Sequence, residues 1–198
     1  MSMVACFAAT ELITLEGGST LPISAIKVGD RVLASNSVGV TIYTDVIAIP
    51  HAHNDIVGDF VEIVTLTGRS LRITPEHIIV AGTCDVTSRR RLRLIPAGIV
   101  TVGSCLLTVE GFEAVTSVSI LKLVGIYTIV TMEEYLVVNG FIASPFAFSH
   151  STGNAFYNLY RGVYKVASFI ITSDYFVSVH QRLSEHLVLL LSSISQLF

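Results

Sequence analysis

The sequence predicts a mainly β domain with a helical appendage at its C-terminal end. From Cys6 to about residue 148, apolar and β-branched residues fall in short runs separated by glycine-containing turns, with hardly a helical period among them. After residue 148 the composition shifts, and apolar residues recur at near-helical spacing. Hydrophobic residues make up 52% of the 198-residue chain and charged residues 14%. That balance predicts one domain with a large core, or some surface that meets lipid.

The first strand runs through Leu12-Ile13-Thr14-Leu15 and ends at a Gly17-Gly18 turn. Ile26-Lys27-Val28-Gly29-Asp30-Arg31-Val32-Leu33-Ala34 gives a turn and a second strand. Further short strands are read at Val40-Thr41-Ile42-Tyr43, Asp45-Val46-Ile47-Ala48-Ile49, Phe60-Val61-Glu62-Ile63-Val64 and Ile126-Tyr127-Thr128-Ile129-Val130. Pro50-His51-Ala52-His53-Asn54-Asp55 reads as a polar loop between two of them. Arg89-Arg90-Arg91-Leu92-Arg93 reads as a solvated hairpin or edge that discourages strand pairing. Residues 26–33 resemble residues 100–107, and 60–65 resemble 126–131, so a faint internal repeat of about seventy residues runs through the chain.

Past Phe148, Ser149-His150-Ser151-Thr152-Gly153-Asn154 reads as a linker or helix start. Phe156, Tyr157, Leu159, Tyr160, Val163, Tyr164, Val166 and Ala167 then follow a helical spacing, with Arg161 and Lys165 on one face. A Ser173-Asp174 cap opens a second helix to about Leu197. These helices carry more apolar surface than their own polar residues cover. They either pack on the β domain or partly face lipid.

Net charge is −3, which gives no reason to expect nucleic-acid binding. No run of about eighteen apolar residues predicts a membrane-spanning helix. Met1 to Ala5 is too short and uncharged for a signal peptide. Cys6, Cys84 and Cys105 show no metal or redox spacing, and the odd count predicts a free thiol at Cys6. His51-x-His53 has no evident third ligand, so no metal site is expected.

The chemistry concentrates in Leu71-Arg72-Ile73-Thr74-Pro75-Glu76-His77-Ile78-Ile79-Val80. Pro75 interrupts two strands and puts Thr74 and His77 on a tight turn. A His held there is a candidate acid or base near neutral pH. By itself the stretch better fits a turn threonine with a local hydrogen bond and a solvated or structural histidine. Cys6-Phe7 near the N-terminus adds a thiol, a good acyl nucleophile once activated.

Four blocks in order, Cys6-Phe7, Gly29-Asp30-Arg31-Val32-Leu33, Thr74-Pro75-Glu76-His77 and Val138-Asn139-Gly140-Phe141-Ile142-Ala143-Ser144, resemble the Hint domain shared by inteins and Hedgehog C-terminal autoprocessing (Hog) domains. The Hedgehog type is nearer, and the resemblance covers about residues 6–148. It implies a Hint fold of two pseudo-symmetric β subdomains. It implies a division into a remnant of the flanking segment (1–5), an autoprocessing domain (6–148) and a helical region similar to a sterol- or adduct-recognition segment (149–198).

The resemblance also implies a self-cleaving reaction. Cys6 attacks the carbonyl of Ala5 in an N-to-S acyl shift, His77 protonates the leaving amine, and Thr74 polarises the peptide. A sterol-like hydroxyl or water then resolves the thioester. No cofactor is required, a sterol or other lipid serving only as second nucleophile. The partners are the chain's own N-terminal flanking segment and a lipid or membrane surface at 149–198, on a monomer. The secretory pathway follows from family habit.

The sequence departs from the family at several positions. His51 stands where sterol-transferring relatives carry an aspartate base, with Asp55 as the alternative. Ala143-Ser144 replaces the His-Asn of inteins, so splicing is not expected. Pro145 stands in place of an accessory cysteine, and Ala5 in place of glycine. The competing reading is a non-catalytic β module with amphipathic helices that hold a partner or membrane. If the tail delivers a lipid, truncation after Phe148 is expected to spare cleavage by a small nucleophile and abolish cleavage by a sterol; if it is core packing, both are lost together.

Overall fold

The computed structural model describes residues 6–84, 93–147 and 149–171, with side chains through 166. The arginines at 89–91 and the Ser173-Asp174 helix start lie outside the described residues. Among the described residues, twelve strands and one α-helix follow one another: β1 (Phe7–Ala8), β2 (Leu12–Thr14), β3 (Thr20–Pro22), β4 (Arg31–Ser35), β5 (Thr41–Thr65), β6 (Ser70–Ile73), β7 (His77–Gly82), β8 (Arg93–Pro96), β9 (Cys105–Thr108), β10 (Gly111–Thr131), β11 (Tyr135–Val138), β12 (Phe141–Ala147) and α1 (His150–Ile171).

Ten strands form one sheet in the order β10-β1-β6-β5-β4-β11-β12-β9-β7-β8, and β2 and β3 form a separate hairpin. Further pairings of β10 with β5 and β9, and of β12 with β7, fold the sheet back on itself. Its enclosed faces bury Phe7, Ile13, Val46, Ile63, Leu71, Ile73, Ile79, Leu106, Ile129, Val138 and Phe141 in one cluster. The alternation of burial along β6, with Leu71 and Ile73 inward, follows the two-residue period of a strand.

The short strands expected around residues 40–64 are one strand of 25 residues, β5. It runs antiparallel to the 21-residue β10. The expected loop at residues 50–55 is therefore strand, with His51 opposite Thr128 and His53 opposite Ile126. Between Ala48 and His51 β5 has more residues than β10 has between Val130 and Thr128. Pro50, which cannot donate to a ladder, falls at that irregularity. The polar composition misled because a long partner strand satisfies the backbone there, whatever the local propensity.

The internal repeat corresponds to duplicated elements. Pro22 and Pro96 each end a strand and open a three-residue 3-10 turn, at Ile23–Ala25 and Ala97–Ile99, with nearly the same backbone angles (φ −57° and −62°, ψ 141° in both). Each turn is followed by a glycine at positive φ, Gly29 at 94° and Gly103 at 87°, and then by β4-β5 or β9-β10. The long strands of the two halves, β5 and β10, pair with each other antiparallel along most of their length.

The C-terminal helical appendage is α1, and it packs on the β domain. Its Tyr157 and Tyr164 are buried with Ile47, Ala48, Val130 and Phe146 of the sheet. Arg161, which shares a helix face with the exposed Lys165, is itself buried. It donates to the carbonyls of Thr131 (3.0 Å) and Glu133 (2.7 Å) and to Asn154 and Asn158. Leu159, Val163 and Val166 stay on the open side. Among the described residues no helix is long and apolar enough to cross a membrane.

Candidate active site

Cys6 and Phe7 lie at the edge of the enclosed core, both fully buried. Phe7 is paired with Tyr127 of β10 and with Ile73 of β6. Ile73 ends its strand because Thr74 precedes a proline, which bars it from helix and breaks the ladder. The turn closes with the His77 N–H donating to the Thr74 carbonyl over 3.0 Å. This puts Thr74 directly against Cys6. The Thr74 N–H donates to the Cys6 carbonyl over 2.9 Å. In return the Cys6 N–H donates to Thr74 Oγ1 over 3.0 Å.

His77 opens β7 with no exposed surface, its ring 4.3 Å from that of Phe7. Nε2 lies 2.5 Å from the carbonyl of Ser144 in β12. A carbonyl only accepts, so Nε2 carries the proton and Nδ1 of the neutral ring is left with its lone pair. Nδ1 is buried and makes no hydrogen bond among the described residues. Burial pushes the His77 pKa down to about 4; the backbone of Ser144 and Cys6 acts the other way, and His51 lowers it further. Burial alone raises the Cys6 thiol well above its ordinary value. The resting pair is therefore a neutral thiol and a neutral imidazole.

His51 is buried on β5, close enough to His77 to lower its basicity. Burial and then His53 push its own pKa down to about 4. Thr128, opposite it on β10, has a buried hydroxyl with no hydrogen-bond partner among the described residues. Asp55 lies farther along β5 where the strand is exposed. Beside it, Asn54 accepts from the Tyr127 hydroxyl.

The structure thus brings Cys6, Thr74 and His77 together, with His51 in their electrostatic surroundings. Sequence reasoning missed the Ser144 carbonyl, the Phe7 ring and His150. Ser144 Oγ accepts from the Phe146 N–H (3.0 Å) and is 2.8 Å from His150 Nδ1, in a segment read from sequence as a linker or helix start. Among the described residues no group of three or more His, Cys, Asp or Glu side chains could hold a metal ion. Cys84 and Cys105 form a disulfide, which leaves Cys6 as the free cysteine.

The family described as Hint module matches residues 1–192. The chain belongs to it. Membership makes this chain an autoprocessing domain. Two similar curated proteins are "Protein hedgehog" of Drosophila pseudoobscura pseudoobscura, 39% identical over 74 residues, and that of Drosophila virilis, 35% identical over 74 residues. Each match spans 37% of this chain and 15% of the relative's length. Solved structures of the same fold include a KlbA intein precursor from Methanococcus jannaschii (TM-score 0.60, 16% identity, covering 73% of this chain and 93% of that one). A bacterial intein-like domain from Clostridium thermocellum (TM-score 0.56, 22% identity, 72% and 99% covered) is also similar. At these identities the likeness concerns the fold, and the Hint module's own residues must carry the chemistry.

Proposed function

We propose that this Hint module cleaves the peptide bond before Cys6 by an N-to-S acyl shift and passes the resulting thioester to an external nucleophile. The single observation that supports this most is the double grip of Thr74 on the Cys6 backbone. The nitrogen of the bond to be broken donates to Thr74 Oγ1, which fixes the orientation of that amide and aligns it for attack.

In the first step Cys6 Sγ bonds to the carbonyl carbon of Ala5 and the bond from that carbon to the Cys6 nitrogen breaks. The thiol proton must reach the departing nitrogen. His77 serves this transfer through Nδ1, the nitrogen left without a proton by the Ser144 contact. A ring whose pKa is about 4 gives up its proton readily once it has taken it, which suits an acid for a poor leaving group. The products are a thioester on Cys6 and a free Cys6 amine.

In the second step a hydroxyl adds to the thioester carbonyl, sulfur leaves, and the hydroxyl proton returns to it. A sterol-like alcohol gives an ester and water gives a carboxylic acid. His51 is the base proposed for that proton, and its buried, neutral state suits the role. The substrate is the chain's own N-terminal flanking segment, and the acceptor reaches the site by way of residues 149–198. No cofactor takes part. A secretory-pathway setting is supported by the Cys84–Cys105 disulfide. The non-catalytic alternative gives no purpose to the buried His77 Nδ1, which has no hydrogen-bond partner among the described residues.

A reporter protein fused ahead of Ala5 and treated with hydroxylamine tests the reading. Release that disappears in Cys6→Ala supports it. Equal release from Cys6→Ala, or none from the wild type, refutes it. The mass of the released segment distinguishes lipid transfer from hydrolysis.

A further inference from the structure

His77 does not rest on the β strands alone. Its Nε2 partner, the Ser144 carbonyl, belongs to a residue whose side chain is held on two sides. Ser144 Oγ lies 3.0 Å from the Phe146 nitrogen and 2.8 Å from His150 Nδ1. His150 Nε2 in turn lies 2.7 Å from Glu134 Oε1. The His150 ring is stacked flat on Tyr135, centroids 4.7 Å apart and planes 3° from parallel. It is the first residue of α1 and is 7% exposed.

The rest of the helix secures this contact. Arg161 ties α1 to the carbonyls of Thr131 and Glu133, the turn that carries Glu134. Gly153 lets the helix lie against Phe146, since a Cβ there would come within 2.5 Å of the ring.

We propose that Ser144, His150 and Glu134 are positioning residues for His77, so that docking of the first turn of α1 is a condition for the site to be competent. The proposal rests on the acyl-shift reading above. Its physical basis is that Ser144 lies where the pairing of β12 with β7 is irregular, between Ala143 and Ala147, and its hydroxyl is held there by both Phe146 and His150. Held so, its carbonyl is aimed at His77 Nε2. Freed, the carbonyl can turn away, and the imidazole loses the contact that keeps its proton on Nε2 and its lone pair on Nδ1. The tail of the chain thereby controls the first chemical step, and not only delivery of the second nucleophile.

The test uses the full chain with a reporter ahead of Ala5 and hydroxylamine as the probe nucleophile. Cleavage rates are measured well below the unfolding temperature of each variant. Ser144→Ala and His150→Ala are expected to slow release about ten- to a hundredfold, the size expected when a catalytic group is misplaced without being removed. His150→Asn, which keeps a polar atom near the position of Nδ1, recovers part of the rate. Gly153→Ala raises helix propensity yet slows release, because it lifts the first turn from Phe146. Tyr164→Phe, which loses only a contact to Asp45 farther along the helix, cleaves as wild type.

Nitrogen NMR of the His77 ring supplies a readout that general destabilisation does not move. A protonated Nε2 is expected in the wild type and a mixture of tautomers in Ser144→Ala and His150→Ala. Glu134→Gln, the mildest change, shows the same trend if the alanine variants fail to fold. Wild-type rates and an unchanged His77 tautomer in the folded variants overturn the proposal. Failure of the acyl-shift reading is distinct: the wild type itself then releases nothing, while the NMR measurement still reports on His77.

Discussion

Thr74 holds Cys6 from both sides, giving its N–H to the Cys6 carbonyl over 2.9 Å and accepting the Cys6 N–H at Oγ1 over 3.0 Å. The second bond fixes the amide that the proposed reaction breaks. Thr74→Val keeps the shape and removes the acceptor, which leaves a buried N–H unpaired. A loss of about 1–3 kcal/mol in stability is expected, together with slower hydroxylamine-induced release. Thr74→Ser should retain most of both. Denaturant titration and release assays on the two variants check this, and equal behaviour of valine and serine would contradict it.

Cys6→Ala and Cys6→Ser should fold normally and form no thioester. His77→Ala should lower the first step by about 10² or more, the usual weight of a positioned acid. Hydroxylamine release at the wild-type rate in His77→Ala would remove His77 from the mechanism.

His51 and His77 are both held near pKa 4 in the fold against an ordinary value of 6.5. The unfolded chain therefore binds more protons between these values, so their contribution is intact above pH 6.5 and is lost as the pH falls toward 4. Each group accounts for on the order of 3 kcal/mol across that window. Stability measured from pH 7 to 4 should fall less steeply in a folded His51→Gln variant than in the wild type. Parallel curves would mean that His51 is not buried in its neutral form.

The Cys84–Cys105 bridge closes a loop with a sequence separation of 21 residues. Its reduction, or Cys84→Ser paired with Cys105→Ser, should cost about 3 kcal/mol. Thiol reagents that resolve a thioester at Cys6 also attack this bridge. Release by dithiothreitol therefore mixes two effects, whereas hydroxylamine isolates one. If the double variant melts with the wild type, the bridge adds nothing to stability.

Truncation after Phe148 removes the residues that cover Ile47, Ala48, Val130 and Phe146. It should destabilise the β domain and weaken cleavage by every nucleophile, the outcome expected where the tail packs as core. Truncation after Ile171 keeps α1 and is the cleaner test of lipid delivery. Hydroxylamine release should persist and sterol-driven release in detergent should vanish. Retained sterol-driven release would end the delivery idea.

The sequence by itself determined a mainly β domain and the turn at Thr74-Pro75, because strand alternation and the backbone limits of proline are local properties. It also identified Cys6, Thr74 and His77 as candidates, since their spacing in a recognisable order needs no coordinates. Tertiary structure decided what depends on distant pairing. The continuity of β5 through Pro50 and His51 came from β10, which satisfies its backbone across a bulge. The burial of Arg161 came from carbonyls at 131 and 133 that no helical period reveals. Ser144 acts toward His77 through a main-chain oxygen, and a carbonyl is present at every residue, so no residue type could signal it. The sequence marked His150 as linker or helix start, and α1 does begin there, but its partners, Glu134 and Ser144, reach it only after β11, β12 and α1 have packed.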